Sequence, residues 1–147
     1  MTRPKIYVAG PYTQGDPVAH THRAIQLGQR LWEAGFAPYV PHLNLLWHVV
    51  APAPPGQWYA LDLEWLDACA ALIRLPGESP GAEGEALRAL TNDVVRAFLV
   101  PDDAPSAAVA AERVRRGADD PRWSALTIVG REAEVIPVLT SRLAGDR

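Results

Sequence analysis

The stretch AALIRLPGESPGAEGE, from Ala70 to Glu85, indicates the fold most clearly. Its apolar start, Ala70–Ile73, predicts a buried strand, and the Pro- and Gly-rich loop that follows ends that strand. Ser79 and Pro80 then begin a helix, one as N-cap and the other as first helical residue. Strand, loop and helix in this order are typical of parallel α/β sheets, in which ligands bind beyond the carboxyl ends of the strands. We therefore expect this loop to face a ligand.

Strands and helices alternate along the rest of the chain. The predicted strands are Lys5–Ala9, Phe36–Val40, Ala70–Leu75, Val94–Val100 and Leu126–Val129, and the predicted helices are Pro17–Ala34, Gln57–Ala68, Ala82–Leu90, Ala104–Arg116 and Arg131–Leu143. This alternation predicts a single α/β domain over residues 1–147. We expect a three-layer flavodoxin-like (Rossmann-like) fold, with a five-stranded parallel sheet in the order 2-1-3-4-5.

Prolines and glycines add detail to this fold. Gly35 should end the first helix, and Pro38 places the second strand at an edge because it cannot donate a ladder hydrogen bond. Pro137 should kink the last helix or delay its start. The segment Pro41–Gly56 is rich in Pro, Trp and His. It predicts a long irregular functional loop, with one helical turn around Leu45–Val49.

Composition limits the class of protein. The chain has 147 residues and a formal net charge of −3, which gives no electrostatic reason to expect nucleic acid or an anionic membrane as partner. Cys69 is the only cysteine, so an internal disulfide is excluded. No apolar run approaches the ~20 residues of a membrane span, and the N-terminus lacks a signal-peptide pattern. We expect a cytoplasmic protein that binds a small molecule.

Asp62 occupies an unusual position. With Trp65, Leu66 and Cys69 it falls at i, i+3, i+4 and i+7, so the carboxylate shares the apolar stripe of its helix. A partly buried carboxylate resists ionisation and can hold a proton near neutral pH, as a general acid does. An acid in a first helical turn is also favoured by the helix dipole. Spacing alone leaves both interpretations open.

The helix that starts at Ser79 carries two further candidates, Glu83 and Glu85. Acids are common in a first turn for dipole reasons, and periodicity does not choose between the two. Ser79 is a standard helix cap, but its hydroxyl can also face a ligand, and the helix start favours an anion. A carboxylate six residues after this hydroxyl is typical of a phosphate or sugar site beside a nucleophile.

The first strand and its loop should lie next to this site. Tyr7 is in the strand, where tyrosines are more often core than catalytic. The polar loop Gly10–Gly15 follows and adjoins the third-strand loop across the sheet. The loop is neither GxGxxG nor a Walker sequence, so dinucleotide and NTPase sites are disfavoured.

Histidines and aromatic residues give weaker signals. His20, His22, His42 and His48 lack the spacing of known zinc sites, and no serine lies in a GxSxG elbow, so we expect no metal, no cofactor and no serine triad. Among the aromatic residues, Trp58 is assigned to packing. The sequence does not decide whether Trp47 packs against the sheet or stacks on a base, and the same two roles are open for Tyr59.

Three motifs together resemble the nucleoside 2-deoxyribosyltransferase superfamily, and most closely its deoxynucleoside 5′-monophosphate N-glycosidases and small bacterial and phage relatives. The motifs are KIYVAGPY (Lys5–Tyr12), DLEWL (Asp62–Leu66) and SPGAEGEALRAL (Ser79–Leu90). The last contains the family pattern Ser-x-Gly-x-x-x-Glu at Ser79, Gly81 and Glu85. The resemblance covers roughly residues 5 to 100.

The resemblance implies a flavodoxin-like fold and cleavage of an N-glycosidic bond. It makes Glu85 the nucleophile, Tyr7 the group that orients it, and Asp62 the group that helps to protonate the leaving base. It also implies that Ser79 and Gly81, with the first loop at Gly10, Pro11, Tyr12 and Thr13, bind the substrate. His42 or Arg74 would help with a 5′-phosphate. Relatives form homodimers or larger oligomers, for which a helix such as Gln57–Ala68 could supply the interface.

Several alternatives stay open at this stage. Hydrolysis and deoxyribosyl transfer share a covalent intermediate and differ only in the acceptor of the sugar. A nucleotide- or nucleotide-sugar-binding domain without turnover would keep the fold and the Ser79 loop but would not need Glu85. A phosphoribohydrolase of the cytokinin-activating type is only loosely similar, since the PGGxGTxxE pattern lacks its paired Gly and its Thr here.

Overall fold

The protein is described from a computed structural model that places residues 2–92, 95–101 and 121–144. Five strands form one sheet: β1 (Lys5–Ala9), β2 (Ala37–Tyr39), β3 (Ala71–Arg74), β4 (Arg96–Leu99) and β5 (Thr127–Ile128). Their order is β2-β1-β3-β4-β5 and every pairing is parallel. The predicted flavodoxin-like topology is thus confirmed, and so is the edge position of the strand that contains Pro38.

In the described part of the chain, five α-helices accompany the sheet: α1 (Pro17–Glu33), α2 (Asn44–Val50), α3 (Pro55–Asp67), α4 (Pro80–Thr91) and α5 (Val135–Ala144). Short 3-10 turns cover Pro41–Leu43, Pro121–Ala125 and Glu132–Glu134. Gly35 adopts a left-handed φ of 96° directly after α1, as a helix-ending glycine does. Pro137 lies in the first turn of α5, where its missing N–H costs nothing, so the predicted delay of this helix is confirmed. The predicted helix over Ala104–Arg116 lies outside the described residues.

The segment after β2 is more regular than its composition predicted. Instead of an irregular loop with one turn, it forms the 3-10 turn at Pro41–Leu43 and the seven-residue helix α2. The helix α3 then starts at Pro55, two residues before the predicted start at Gln57. Prolines explain the 3-10 turn and the early start of α3, because Pro41 and Pro55 occupy first helical positions, where Pro is preorganised for a helix and needs no hydrogen-bond partner.

The sheet separates two apolar cores, which makes the domain three-layered. Alternate residues of β1 point to opposite faces: Ile6 and Val8 join the core under α1 and α5, whereas Tyr7 and Ala9 join the core that includes Leu66 of α3 and Ala82 of α4. All four of these β1 side chains are fully buried. Tyr7 therefore faces the same helices that carry Asp62 and Glu85.

The surface of α2 is unusually apolar. Leu46, Val49 and Val50 are 71%, 67% and 85% exposed. Such a cluster is typical of a contact surface. The expected homo-oligomer and its interface at Gln57–Ala68 remain predictions. In the described part of the chain, no helix is both long and apolar enough to cross a bilayer.

Candidate functional site

A cavity of about 440 Å³ opens beyond the carboxyl ends of β1 and β3. The loop after β1, the helices α2 and α3, and the start of α4 form its walls. Of the predicted site residues, it is lined by Gly10, Tyr12, Thr13, His42, Asp62, Ser79, Gly81 and Glu85. Ligands of doubly wound parallel sheets bind at this position, outside the carboxyl ends of the strands.

Asp62 lies on the buried side of α3 and is only 8% exposed. Its Oδ1 accepts hydrogen bonds from the Tyr39 hydroxyl at 3.1 Å and from Asn44 Nδ2 at 2.9 Å. Burial raises the pKa of Asp62 to about 6, while the two hydrogen bonds act in the opposite direction. Asp62 thus belongs to a polar site inside the helix layer. The dipole explanation of its position is wrong, because α3 starts at Pro55 and Asp62 is not in its first turn.

Glu85 and Glu83, which periodicity could not separate, have different surroundings. Glu85 is 8% exposed and lines the cavity. Glu83 is about one-third exposed and points to Arg74, whose Nη2 lies 3.6 Å from Glu83 Oε1. Burial, followed by the charge of Asp62, raises the pKa of Glu85 to about 8, and the Tyr7 hydroxyl and Arg74 offset this in part.

Tyr7 lies in the core with Leu66 and Ala82 and is not among the residues that line the cavity. Its ring is fully buried and packs against Tyr39 with the ring centroids 5.5 Å apart. The hydroxyl interacts with Glu85 strongly enough to affect the pKa of both groups, although it has no hydrogen-bond partner of ordinary geometry among the described residues. Burial, and then the charge of Glu85, raise the pKa of Tyr7 far above its usual value. The phenol therefore keeps its proton, and its O–H can donate a hydrogen bond to a carboxylate.

Ser79 and Arg74 have defined structural tasks in this site. Ser79 caps α4, with its Oγ accepting from the Ala82 N–H at 3.1 Å. Arg74 is 4% exposed, does not line the cavity, and donates to the carbonyl oxygens of Leu75 and Gly77. The arginine therefore holds the loop between β3 and α4 in shape.

The neutral form of His42 is favoured by its burial. Its Nε2 contacts the Pro11 carbonyl oxygen at 3.0 Å, and because a carbonyl only accepts, Nε2 carries the proton. Burial lowers the pKa of His42. Its Nδ1 is buried without a hydrogen-bond partner in the described part of the chain. The ring can therefore accept a hydrogen bond at Nδ1, but it does not supply a positive charge.

Several lining residues were missed or assigned to packing. His48 Nδ1 accepts from Trp58 Nε1 at 2.9 Å and from the Ala53 N–H at 3.3 Å, and both His48 and Trp58 line the cavity. Trp47 contacts Trp58 edge-on and does not line the cavity. Tyr59 also lines it and lies close to Glu85, whose charge helps to raise the Tyr59 pKa after burial. Asn44 and His48 are four residues apart and so lie on one face of α2. This spacing is the sequence signal that could have predicted that this face lines the cavity.

The loops after β1 and β3 touch at Gly77, which predicts a sensitive position. Gly77 has a left-handed φ of 111°, and a Cβ there would lie 2.8 Å from Pro11 Cγ. We expect Gly77→Ala to lower the free energy of unfolding by about 1–3 kcal/mol. Urea unfolding would measure this. Gly56→Ala is the matched control, because a Cβ at Gly56 meets nothing within 4 Å. Equal stability of the two variants would contradict the expected strain.

The described residues contain no group of three or more His, Cys, Asp or Glu side chains that could hold a metal ion. The site does bring together two buried carboxyl groups, Asp62 and Glu85. Their different surroundings keep their pKa values apart, at about 6 for Asp62 and about 8 for Glu85. Two carboxyl groups in one cavity with separated pKa values are typical of acid–base and glycosidic chemistry.

Comparison by sequence finds no matching protein family and no matching curated protein. By structure, the chain is similar to a conserved protein from Enterococcus faecalis V583 (TM-score 0.66, 18% identity, covering 96% of this chain and 99% of that one). It is also similar to the molybdenum cofactor binding protein from the phototrophic bacterium Rippkaea orientalis (TM-score 0.62, 18% identity, 97% and 99% covered). A third likeness is to the 2-deoxyribosyltransferase from the psychrotolerant bacterium Bacillus psychrosaccharolyticus (TM-score 0.45, 20% identity, 65% and 71% covered). The first two likenesses show that the fold is shared over nearly the whole chain.

Proposed function

We propose that this protein is an enzyme that cleaves or transfers the N-glycosidic bond of a nucleoside or nucleotide, with Glu85 as the nucleophile. The observation that carries this proposal is the pair of buried carboxyl groups, Asp62 and Glu85, in one cavity over a protonated tyrosine. The motif resemblance to the nucleoside 2-deoxyribosyltransferase superfamily supports the same chemistry independently, because its three motifs contain Tyr7, Asp62 and Glu85.

In the proposed reaction, Glu85 attacks the anomeric carbon as the bond from that carbon to the base nitrogen breaks. The bonding electrons leave with the base, which takes a proton from Asp62, and a glycosyl ester forms on Glu85. In the second step, water or a second base attacks the anomeric carbon and gives up a proton to Asp62, and Glu85 is released. Tyr7 donates a hydrogen bond to Glu85 and so orients it.

The reactive enzyme needs one proton on the carboxylate pair. In the empty site the proton favours Glu85, because Tyr39 and Asn44 stabilise the ionised form of Asp62. The reactive arrangement has the proton on Asp62 instead. Positive charge that develops on the sugar ring stabilises an ionised carboxylate beside it, which favours this arrangement as the reaction proceeds.

This proton count predicts a bell-shaped dependence of kcat/KM on pH. The value of kcat/KM should fall below about pH 6, where the pair of carboxyl groups gains a second proton. It should also fall above about pH 8, where the pair loses its remaining proton. The two apparent pKa values of this profile belong to the pair of carboxyl groups as a whole. The profile therefore does not depend on which of the two groups holds the proton. Tyr39→Phe removes one donor to Asp62 and should move the acid limb to higher pH by about one unit. A profile without an acid limb, or a shift to lower pH, would contradict this assignment.

Chromatography of free base is the test of the proposed activity. Ribo- and deoxyribonucleosides and their 5′-monophosphates would be incubated with the enzyme, with and without a second base. We expect release of the base from at least one class, and formation of a new nucleoside with the second base would identify a transferase. Binding without any release would instead support a domain that binds nucleotides without turnover.

A further inference from the structure

The charges around the cavity bear on which substrate it accepts. Asp62, Glu78 and Glu85 line it, whereas none of its described lining residues is Lys or Arg. Burial lowers the pKa of His42 and so disfavours its charged form, and Arg74 donates to the carbonyl oxygens of Leu75 and Gly77 and pairs with Glu83. A ligand in the cavity therefore meets carboxyl groups, and no lysine or arginine of the described part of the chain lines the cavity beside them.

Helix starts could replace a missing cation, because free backbone N–H groups bind phosphate. At α4, however, Pro80 has no N–H, the Ala82 N–H donates to Ser79 Oγ, and the Glu83 N–H donates to the Ser79 carbonyl oxygen at 3.0 Å. Among the described residues, the Ser79 and Gly81 N–H groups have no such bond. The cap of α4 thus occupies the Ala82 N–H, one of the groups that a phosphate could use.

The start of α1, after the other loop at the cavity, is occupied as well. The Asp16 carboxylate accepts from the Val18 and Ala19 N–H groups at 2.9 and 3.2 Å, and the Asp16 carbonyl oxygen accepts from the His20 N–H. The first residue of this helix is Pro17, which has no N–H. A carboxylate of the chain itself therefore occupies the N–H groups at this helix start.

We infer that the site takes an uncharged nucleoside and rejects 5′-monophosphates, and that Glu78 is the residue that repels the phosphate. Glu78 is exposed, lines the cavity and directly precedes Ser79, the residue that the family pattern would place at a phosphate. A dianionic phosphate beside it would meet a like charge, and the described lining residues include no Lys or Arg to neutralise it. This inference rests on the proposed function and narrows its substrate class.

The test compares kcat/KM for base release from a 2′-deoxynucleoside and from its 5′-monophosphate. We expect the nucleoside to be preferred by at least about thirtyfold, because the carboxylate of Glu78 repels the phosphate of the competing substrate. Glu78→Gln should reduce that ratio about tenfold, since it removes one of the repelling charges. Glu33→Gln, an exposed carboxylate at the end of α1, is the matched control and should leave the ratio unchanged.

Each outcome decides one of the two claims. Equal or better cleavage of the monophosphate would overturn the inference and leave the proposed glycosidic chemistry intact. A strong nucleoside preference that Glu78→Gln does not reduce would overturn the role of Glu78. If neither substrate releases its base, the proposed function fails, and calorimetric titration of the wild type with the same two compounds decides the inference. Tighter binding of the nucleoside would support it, and tighter binding of the monophosphate would overturn it.

Discussion

Glu85→Gln is expected to lower kcat/KM for base release by at least about a thousandfold, because an amide cannot form the glycosyl ester. The substitution preserves the size of the side chain, so loss of activity reports on the carboxylate and not on a cavity in the core. Substrate should still bind, since the loop at Ser79 and the walls of the cavity are unchanged. Chromatography of the free base under single-turnover conditions would measure the loss.

Glu83→Gln is the matched control for this experiment. Glu83 lies two residues earlier in the same helix, but it points to Arg74 and does not line the cavity. We expect this variant to keep activity within about fivefold of the wild type, because it weakens only one partly exposed ion pair. A Glu83→Gln variant that is as inactive as Glu85→Gln would show that the loop, and not the Glu85 carboxylate, limits the reaction.

The second large effect is on stability. Glu85→Gln should make the folded protein more stable than the wild type at pH 9, on the order of 4 kcal/mol, and about equally stable near pH 4.5. The reason is that burial raises the pKa of Glu85 from 4.5 to about 8. Between pH 4.5 and about pH 8, Glu85 of the folded protein holds a proton that the same residue of the unfolded chain has lost. Stability of the wild type must therefore fall as pH rises through this window, and a neutral Gln removes this penalty.

Urea unfolding at several pH values between 5 and 9 measures this difference. Glu33→Gln removes an exposed carboxylate at the end of α1 and should show the same pH dependence as the wild type. If Glu85→Gln is no more stable than the wild type at pH 9, Glu85 ionises freely in the folded protein. The site would then lack the shared proton on which the proposed mechanism depends.

The topology of the sheet could be predicted because strands and helices alternate with strong local signals. Ser79 followed by Pro80 marked the start of α4, and Pro38 marked an edge strand, since both residues act through their own backbone chemistry. The helix α2 was missed because the abundance of Pro and His in its segment outweighed the apolar run in NLLWHVV. Composition is a weaker guide than the spacing of apolar residues within such a short segment.

The candidate site could be predicted only in part from the sequence. Glu83 and Glu85 lie on one helix turn, and only the packing of α4 against its neighbours shows that Glu85 is the buried one. The partners of Asp62 are distant in sequence: Tyr39 precedes it by 23 positions and Asn44 by 18. Such contacts depend on how helices pack, which local patterns do not encode. The motif resemblance identified the carboxylates before the fold placed them in one cavity.

The most direct test of the central claim is to trap the glycosyl ester on Glu85. A 2′-deoxy-2′-fluoro-arabinosyl nucleoside would serve as substrate, because the fluorine destabilises the oxocarbenium-like state and slows release of the sugar. Mass spectrometry of the intact protein and of its peptides should find one fluorosugar per chain, attached to Glu85 and absent from Glu85→Gln, with a stoichiometric burst of free base. Attachment to another residue such as Asp62, or repeated release of base with no adduct, would contradict the account.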